Sequence, residues 1–149
     1  VVLAAGMAAA LAQIERCDPD QLAGAGNGIA ELRNALRDRL LTDERLVVCG
    51  DPDQRLPHHL SLLVSDHNGQ PVSGRQLVRS LDTQGLAVSS GSACSSGKDS
   101  DSSVLTAMGL PQTMRRSGVR LSLGPWISAG DLDGITERFF HGLEVENNS

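Results

Sequence analysis

The sequence predicts an α+β domain: a small, mostly antiparallel sheet covered by helices on one face. Three observations carry this expectation. Short apolar runs at Leu46–Cys49, Leu60–Val64 and Val119–Leu123 have strand character, and turn signals follow the first two. Longer stretches around them place apolar residues at three- and four-residue spacing, the signature of amphipathic helices. Hairpin-like links join several strand candidates, which suits an antiparallel sheet. The 149 residues are enough for one domain, and no internal repeat is visible.

The elements follow in order. Residues 1–16 read as an Ala-rich helix with Leu3, Met7 and Leu11 at helical spacing. This helix reads as already under way at Val1, so the chain is expected to be part of something longer. Asp18-Pro19-Asp20 interrupts it, because proline is poorly tolerated inside a helix. Gly24-Ala25-Gly26-Asn27-Gly28 reads as a loop or a weak helix start. From Ile29 the pattern firms, with Leu32, Leu36 and Leu40 on one face. Two strands follow, the first ending at Gly50-Asp51-Pro52-Asp53 and the second at His67-Asn68-Gly69.

Ser73 or Gly74 opens the next helix, and Gly85 fits the left-handed position just past its end. Leu86-Ala87-Val88 reads as a short strand running into the polar segment 89–101. A short helix carries Val104, Leu105 and Met108 and stops at Gly109. Val119 to Leu123 alternates strictly. The last helix starts after Ser128, with Asp131 completing an approximate capping box. Leu132, Ile135, Phe139 and Leu143 are its expected buried stripe, and residues 146–149 are expected to fray.

Composition narrows the function. Thirteen Lys and Arg against eighteen Asp and Glu give a net charge of −5, a poor match to a nucleic-acid backbone. Two Phe, one Trp and no Tyr leave little for base stacking or aromatic cages. The core is therefore expected to be aliphatic. Three widely spaced cysteines without a CxxC pair argue against disulfides and structural zinc and fit a reducing, cytoplasmic setting. The opening apolar run is shorter than the roughly 18–20 residues of a membrane span, so no membrane partner is expected.

The segment around Cys94 is the best place for chemistry. Small neighbours (Ser90, Gly91, Ser92, Ala93 and Ser95) leave a thiolate able to reach an external electrophile. An incidental cysteine in a solvated loop is the plainer alternative. Arg120 alternates with Val119 and Leu121, so it should project from the opposite face of its strand. There it could bind a carboxylate with two parallel hydrogen bonds, or simply face solvent. No GxSxG elbow supports a serine hydrolase. His58-His59 lacks a second metal-ligand pair and reads as the start of a strand, so no metal is expected. Gly24 to Gly28 does not meet the GxGxxG pattern. Cys17 and Cys49 read as small buried hydrophobes, and Arg115-Arg116 as solvated.

Taken together, Gly85-Leu86-Ala87-Val88-Ser89-Ser90-Gly91-Ser92-Ala93-Cys94-Ser95-Ser96-Gly97 resembles the catalytic-cysteine loop of the cysteine desulfurases, class V aminotransferase relatives that depend on pyridoxal phosphate. Val104 to Leu110 resembles the helix that follows that loop. Gly118-Val119-Arg120-Leu121-Ser122-Leu123-Gly124 resembles the substrate-arginine strand, and Ser128 to Ile135 the last helix. The resemblance is densest over residues 75–135.

This resemblance implies the C-terminal small domain of a fold-type I enzyme. Residues 1–16 would end the inter-domain helix, 17–149 would form the small domain, and the large cofactor-binding domain would be absent. It implies that Cys94 takes sulfur from L-cysteine as a persulfide, leaving L-alanine, and that Arg120 clamps the substrate carboxylate. The sulfur would pass to an acceptor or iron–sulfur scaffold protein. The full enzyme would be a homodimer, and these residues alone inactive. The family's cofactor lysine sits in a Ser-x-His-Lys motif, whereas the one lysine here, Lys98, does not match it. Residues 98–101 also depart from the apolar-Glu-Pro segment often found there. A selenocysteine lyase, an aminotransferase or a non-catalytic sulfur carrier are the alternatives.

Overall fold

A computed structural model describes residues 2–16, 19–91 and 101–147. Four strands, β1 (Leu46–Val48), β2 (His59–Val64), β3 (Ser89–Ser90) and β4 (Gly118–Ser122), form one sheet in the order β1-β2-β4-β3. Every pairing is antiparallel, as expected. The helices are α1 (Val2–Glu15), α2 (Pro19–Leu40), α3 (Gly74–Thr83), α4 (Ser103–Ala107) and α5 (Leu132–Asn147).

Register sorts the side chains between the two faces. Leu60 pairs with Leu121, Leu62 with Val119 and Leu46 with Val64. These residues face α2, α3 and α5 and form the main core with Leu36, Leu40, Leu77, Leu81, Leu132, Phe139 and Leu143. Each such side chain contributes roughly 1.5–3 kcal/mol when fully buried. The aliphatic core matches the composition, with Phe139 as its one fully buried aromatic among the described residues.

Two glycines set how closely the layers approach. Ser80 Oγ donates to the Gly142 carbonyl at 2.6 Å, and a Cβ on Gly142 would stand 2.8 Å from Leu81 Cδ2. A Cβ on Gly74 would strike the backbone carbonyl oxygen of Gly118, which has no freedom to turn away.

The ends of α3 follow the sequence signals. Ser73 is its N-cap and accepts from the Gln76 amide. Gly85 takes φ +76°, and the Leu86 amide donates to the Leu81 carbonyl, closing a Schellman-type turn. Ser128 and Asp131 make a full capping box before α5.

Three expectations are corrected. Gly24 to Gly28 is helical within α2, which starts at Pro19. Proline is harmless at a first helical position, because that N–H has no intrahelical partner. Leu86 to Val88 is not a strand. Leu86 and Val88 pack on the core, and pairing with β4 begins only at Ser89. Residues 146 and 147 remain helical in α5 rather than fraying.

Candidate functional site

The second face of the sheet is more polar. His59, Ser61, Leu63, Gly118, Arg120, Ser122 and Ser89 share it by register. Part of it is covered, where Leu105 of α4 packs with Leu63, Cys49, Leu110 and Met114. Cys49 is buried as expected, and burial pushes its thiol pKa up. Cys17 lies outside the described residues.

Arg120 stands opposite the core face, with Val119 and Leu121 buried on either side of it. It pairs in register with Ser61 on β2 and Ser89 on β3, so short side chains flank it. Among the described residues no carboxylate or carbonyl engages its guanidinium. It is half-buried.

Cys94, Ser92, Ala93 and Ser95 lie outside the described residues, as does Lys98. The posts on either side of that segment are well defined. Ser90 pairs with Val119, and the Gly91 amide donates to the Gly118 carbonyl at 2.8 Å. Ser102 lies beyond the segment and is 2 % exposed. Its hydroxyl donates to the Gly91 carbonyl at 3.1 Å, and its amide donates to Arg115 O at 3.2 Å. Both ends are thereby tied together beside β4.

Asp101 adds a second tie. Its carboxylate lies 2.9 Å from Arg116 Nε and 3.8 Å from Arg115 Nη1. Arg115-Arg116 is therefore paired rather than merely solvated. Neither this pair nor Ser102 was legible beforehand, because the partners stand eleven and fifteen positions apart in the chain.

A further cluster escaped the sequence reading. His59 opens β2 on the Arg120 face, and Arg55 stands near it. Arg55 donates to the Asp51 and Cys49 carbonyls, and Arg33 of α2 donates to the Leu56 carbonyl. Burial and the positive charges of Arg120, Arg55, His58 and Arg33 hold the His59 ring pKa below its ordinary value. Burial lowers Arg33 as well, with Arg55 and Arg37 adding to it.

Among the described residues no group of three or more His, Cys, Asp or Glu is arranged to hold a metal. No helix there is long and apolar enough to cross a membrane. The described residues contain no lysine.

Comparison with known proteins places the chain in a family. Residues 1–135 match the family described as aminotransferase class-V. Cysteine desulfurase IscS of Vibrio vulnificus is 38% identical over 113 residues, covering 76% of this chain and 26% of that protein. IscS of Vibrio atlanticus is 42% identical over 103 residues, covering 66% and 24% respectively. A cysteine desulfurase of Cereibacter sphaeroides is 35% identical over 117 residues, covering 78% and 29%. The chain thus spans about a quarter of the length of these relatives. In fold it is similar to a NifS-like protein from Rickettsia africae, with a TM-score of 0.67 at 21% identity, covering 84% of this chain and 31% of that one. A second NifS-like structure gives 0.66 at 21% identity, covering 85% and 30%. With the family matched over nine-tenths of its length, the chain belongs to the class-V aminotransferases.

Proposed function

We propose that this chain is the C-terminal part of a cysteine desulfurase, with Cys94 as the sulfur acceptor and Arg120 as the clamp on the substrate carboxylate. One observation carries the reading: the segment bearing Cys94 springs from Gly91 and β3, and β3 pairs with the strand that presents Arg120. That arrangement suits a nucleophile and an anion clamp serving one small amino acid. The named cysteine desulfurases among the relatives support the same chemistry.

In this reading the Cys94 thiolate attacks the sulfur of L-cysteine. The S–S bond forms as the substrate Cβ–S bond breaks. The bonding pair stays with the substrate carbon, and a proton delivered there completes L-alanine. Pyridoxal phosphate, held by residues outside this chain, supplies the electron sink. Arg120 fixes the orientation of the amino acid by its carboxylate. The persulfide then passes to a thiol of an acceptor or iron–sulfur scaffold protein. A cytoplasmic setting keeps these thiols reduced.

The domain assignment belongs to the same proposal. Residues 1–16 act as the end of a joining helix and 17–149 as the small domain of a homodimeric enzyme. The exposed Leu3, Met7, Leu11 and Ile14 of α1 suit a helix that packs against another domain. These 149 residues by themselves are expected to release no alanine.

The test uses the full-length enzyme carrying this chain. Incubation with L-cysteine should add one sulfur atom to the Cys94 peptide, seen by mass spectrometry, and release alanine. Cys94→Ala should abolish both. Alanine release that survives in Cys94→Ala overturns the reading.

A further inference from the structure

More positive charge surrounds His59 than one clamp needs. Arg120 of β4, Arg55 and His58 of the β1–β2 connection and Arg33 of α2 all act on His59. Among the described residues, no carboxylate forms an ion pair with Arg33, Arg55 or Arg120. Arg33 is only 6 % exposed and is met by the Leu56 carbonyl and the Asn34 amide oxygen, so its charge is not cancelled locally. The half-buried His59 imidazole has no hydrogen-bond partner among the described residues.

Register places this ring beside the clamp. Ser61 lies opposite Arg120 and His59 opposite Ser122, so His59 and Arg120 are diagonal neighbours on one face. Diagonal neighbours lie about 7–8 Å apart at the backbone, within reach of long side chains. A carboxylate is wide enough to take a guanidinium on one side and an imidazole N–H on the other.

We propose that His59 is a positioning residue of the Arg120 site, donating a second hydrogen bond to the carboxylate that Arg120 holds. The proposal rests on the reading of Arg120 as a carboxylate clamp and adds a partner to it. With the site empty, burial and the surrounding guanidiniums lower the proton affinity of the ring. A bound carboxylate offsets that positive field, so the ring gains proton affinity. Binding and protonation then reinforce one another, because linkage makes the coupling reciprocal. Carboxylate affinity should therefore rise as pH falls through the titration of the bound-state ring. Below the titration of the free-state ring it should level off.

The experiment uses the 149-residue chain, with sodium acetate as the probe at constant chloride and ionic strength. NMR follows the His59 ring carbons and the Arg120 Nε–H between about pH 7.5 and 5.5, where acetate stays mostly ionised. Acetate should shift both signals and raise the His59 titration midpoint. His59→Ala should weaken acetate binding about three- to tenfold, the worth of one hydrogen bond. His59→Gln should keep much of the affinity but lose its pH dependence, an outcome that a merely structural role does not give. If acetate shifts Arg120 while the His59 titration stays fixed, Arg120 binds alone and the His59 proposal is overturned. Acetate that moves neither group overturns the clamp reading and the His59 proposal with it.

Discussion

The two faces of the sheet are built on opposite terms. Leu60, Leu62, Val64, Val119 and Leu121 point one way into a core closed by three helices. His59, Ser61, Ser89 and Arg120 point the other way, and among the described residues the Leu63–Leu105–Cys49 corner of that face is filled. Successive residues of the same strands thus do different work, because the side-chain period of a strand is two. Stability is concentrated on the first face, and the second presents Arg120 without an ion-pair partner among the described residues. Substitutions on the two faces should therefore separate unfolding free energy from anion binding.

The largest expected effect is on the core face. Phe139 is fully buried, so Phe139→Ala should cost about 3–5 kcal/mol, measured by urea unfolding. A loss below about 1 kcal/mol would mean that the helical layer does not need this ring. Next comes Gly74→Ala, whose Cβ collides with the Gly118 carbonyl oxygen at the start of β4. Overpacking of this kind costs roughly 1–3 kcal/mol. Because Gly118 also accepts the Gly91 amide, the variant should weaken protection of that amide in hydrogen exchange. A variant with unchanged exchange at Gly91 would separate the α3 contact from the β3–β4 pairing.

A smaller effect is expected at the charged edge of the core. Arg45 is 9 % exposed and reaches Asp43 and Glu144, each at 2.6 Å, joining the start of β1 to the end of α5. Arg45→Met should cost about 1–2 kcal/mol near neutral pH. Hydrogen bonds from Arg45 hold Asp43 and Glu144 below the ordinary carboxylate range. A lowered folded-state pKa contributes stability that is present above the unfolded value and is lost as pH falls through the folded one. The wild-type chain should therefore lose stability on acidification from about pH 5 downward. Arg45→Met should show a flatter profile, and parallel profiles would show that other carboxylates carry the acid response.

The smallest stability effect is predicted at Arg120. Arg120→Gln removes a cation with no ion-pair partner among the described residues, so unfolding free energy should change by no more than about 0.5 kcal/mol. The contrast sharpens if the same substitution in the full-length enzyme raises the KM for L-cysteine strongly. A large loss of stability instead would make Arg120 a structural residue and dissolve the difference between the faces.

Much of this was legible in the sequence where local chemistry decides. Ser73, Gly85 and the Ser128–Asp131 pair mark helix ends because capping needs specific side chains at specific offsets. The alternation of Val119, Arg120 and Leu121 was enough to assign them to opposite faces. Local signals misled at Gly24 to Gly28, where glycine is a poor helix former but does not forbid one. They also misled at Leu86 to Val88, whose apolar side chains satisfy the core without a strand partner.

By itself, then, the sequence determined the type of most helices and strands, the aliphatic core and the face of β4 on which Arg120 stands, since these depend on periodicity and on turn and capping residues. The cysteine-loop and arginine-strand motifs also pointed to the family. Only the tertiary structure decided that His59 stands diagonal to Arg120, that Ser102 ties to Gly91 and that Asp101 pairs with Arg116. Those contacts depend on strand register and chain return, which join residues that no local spacing relates.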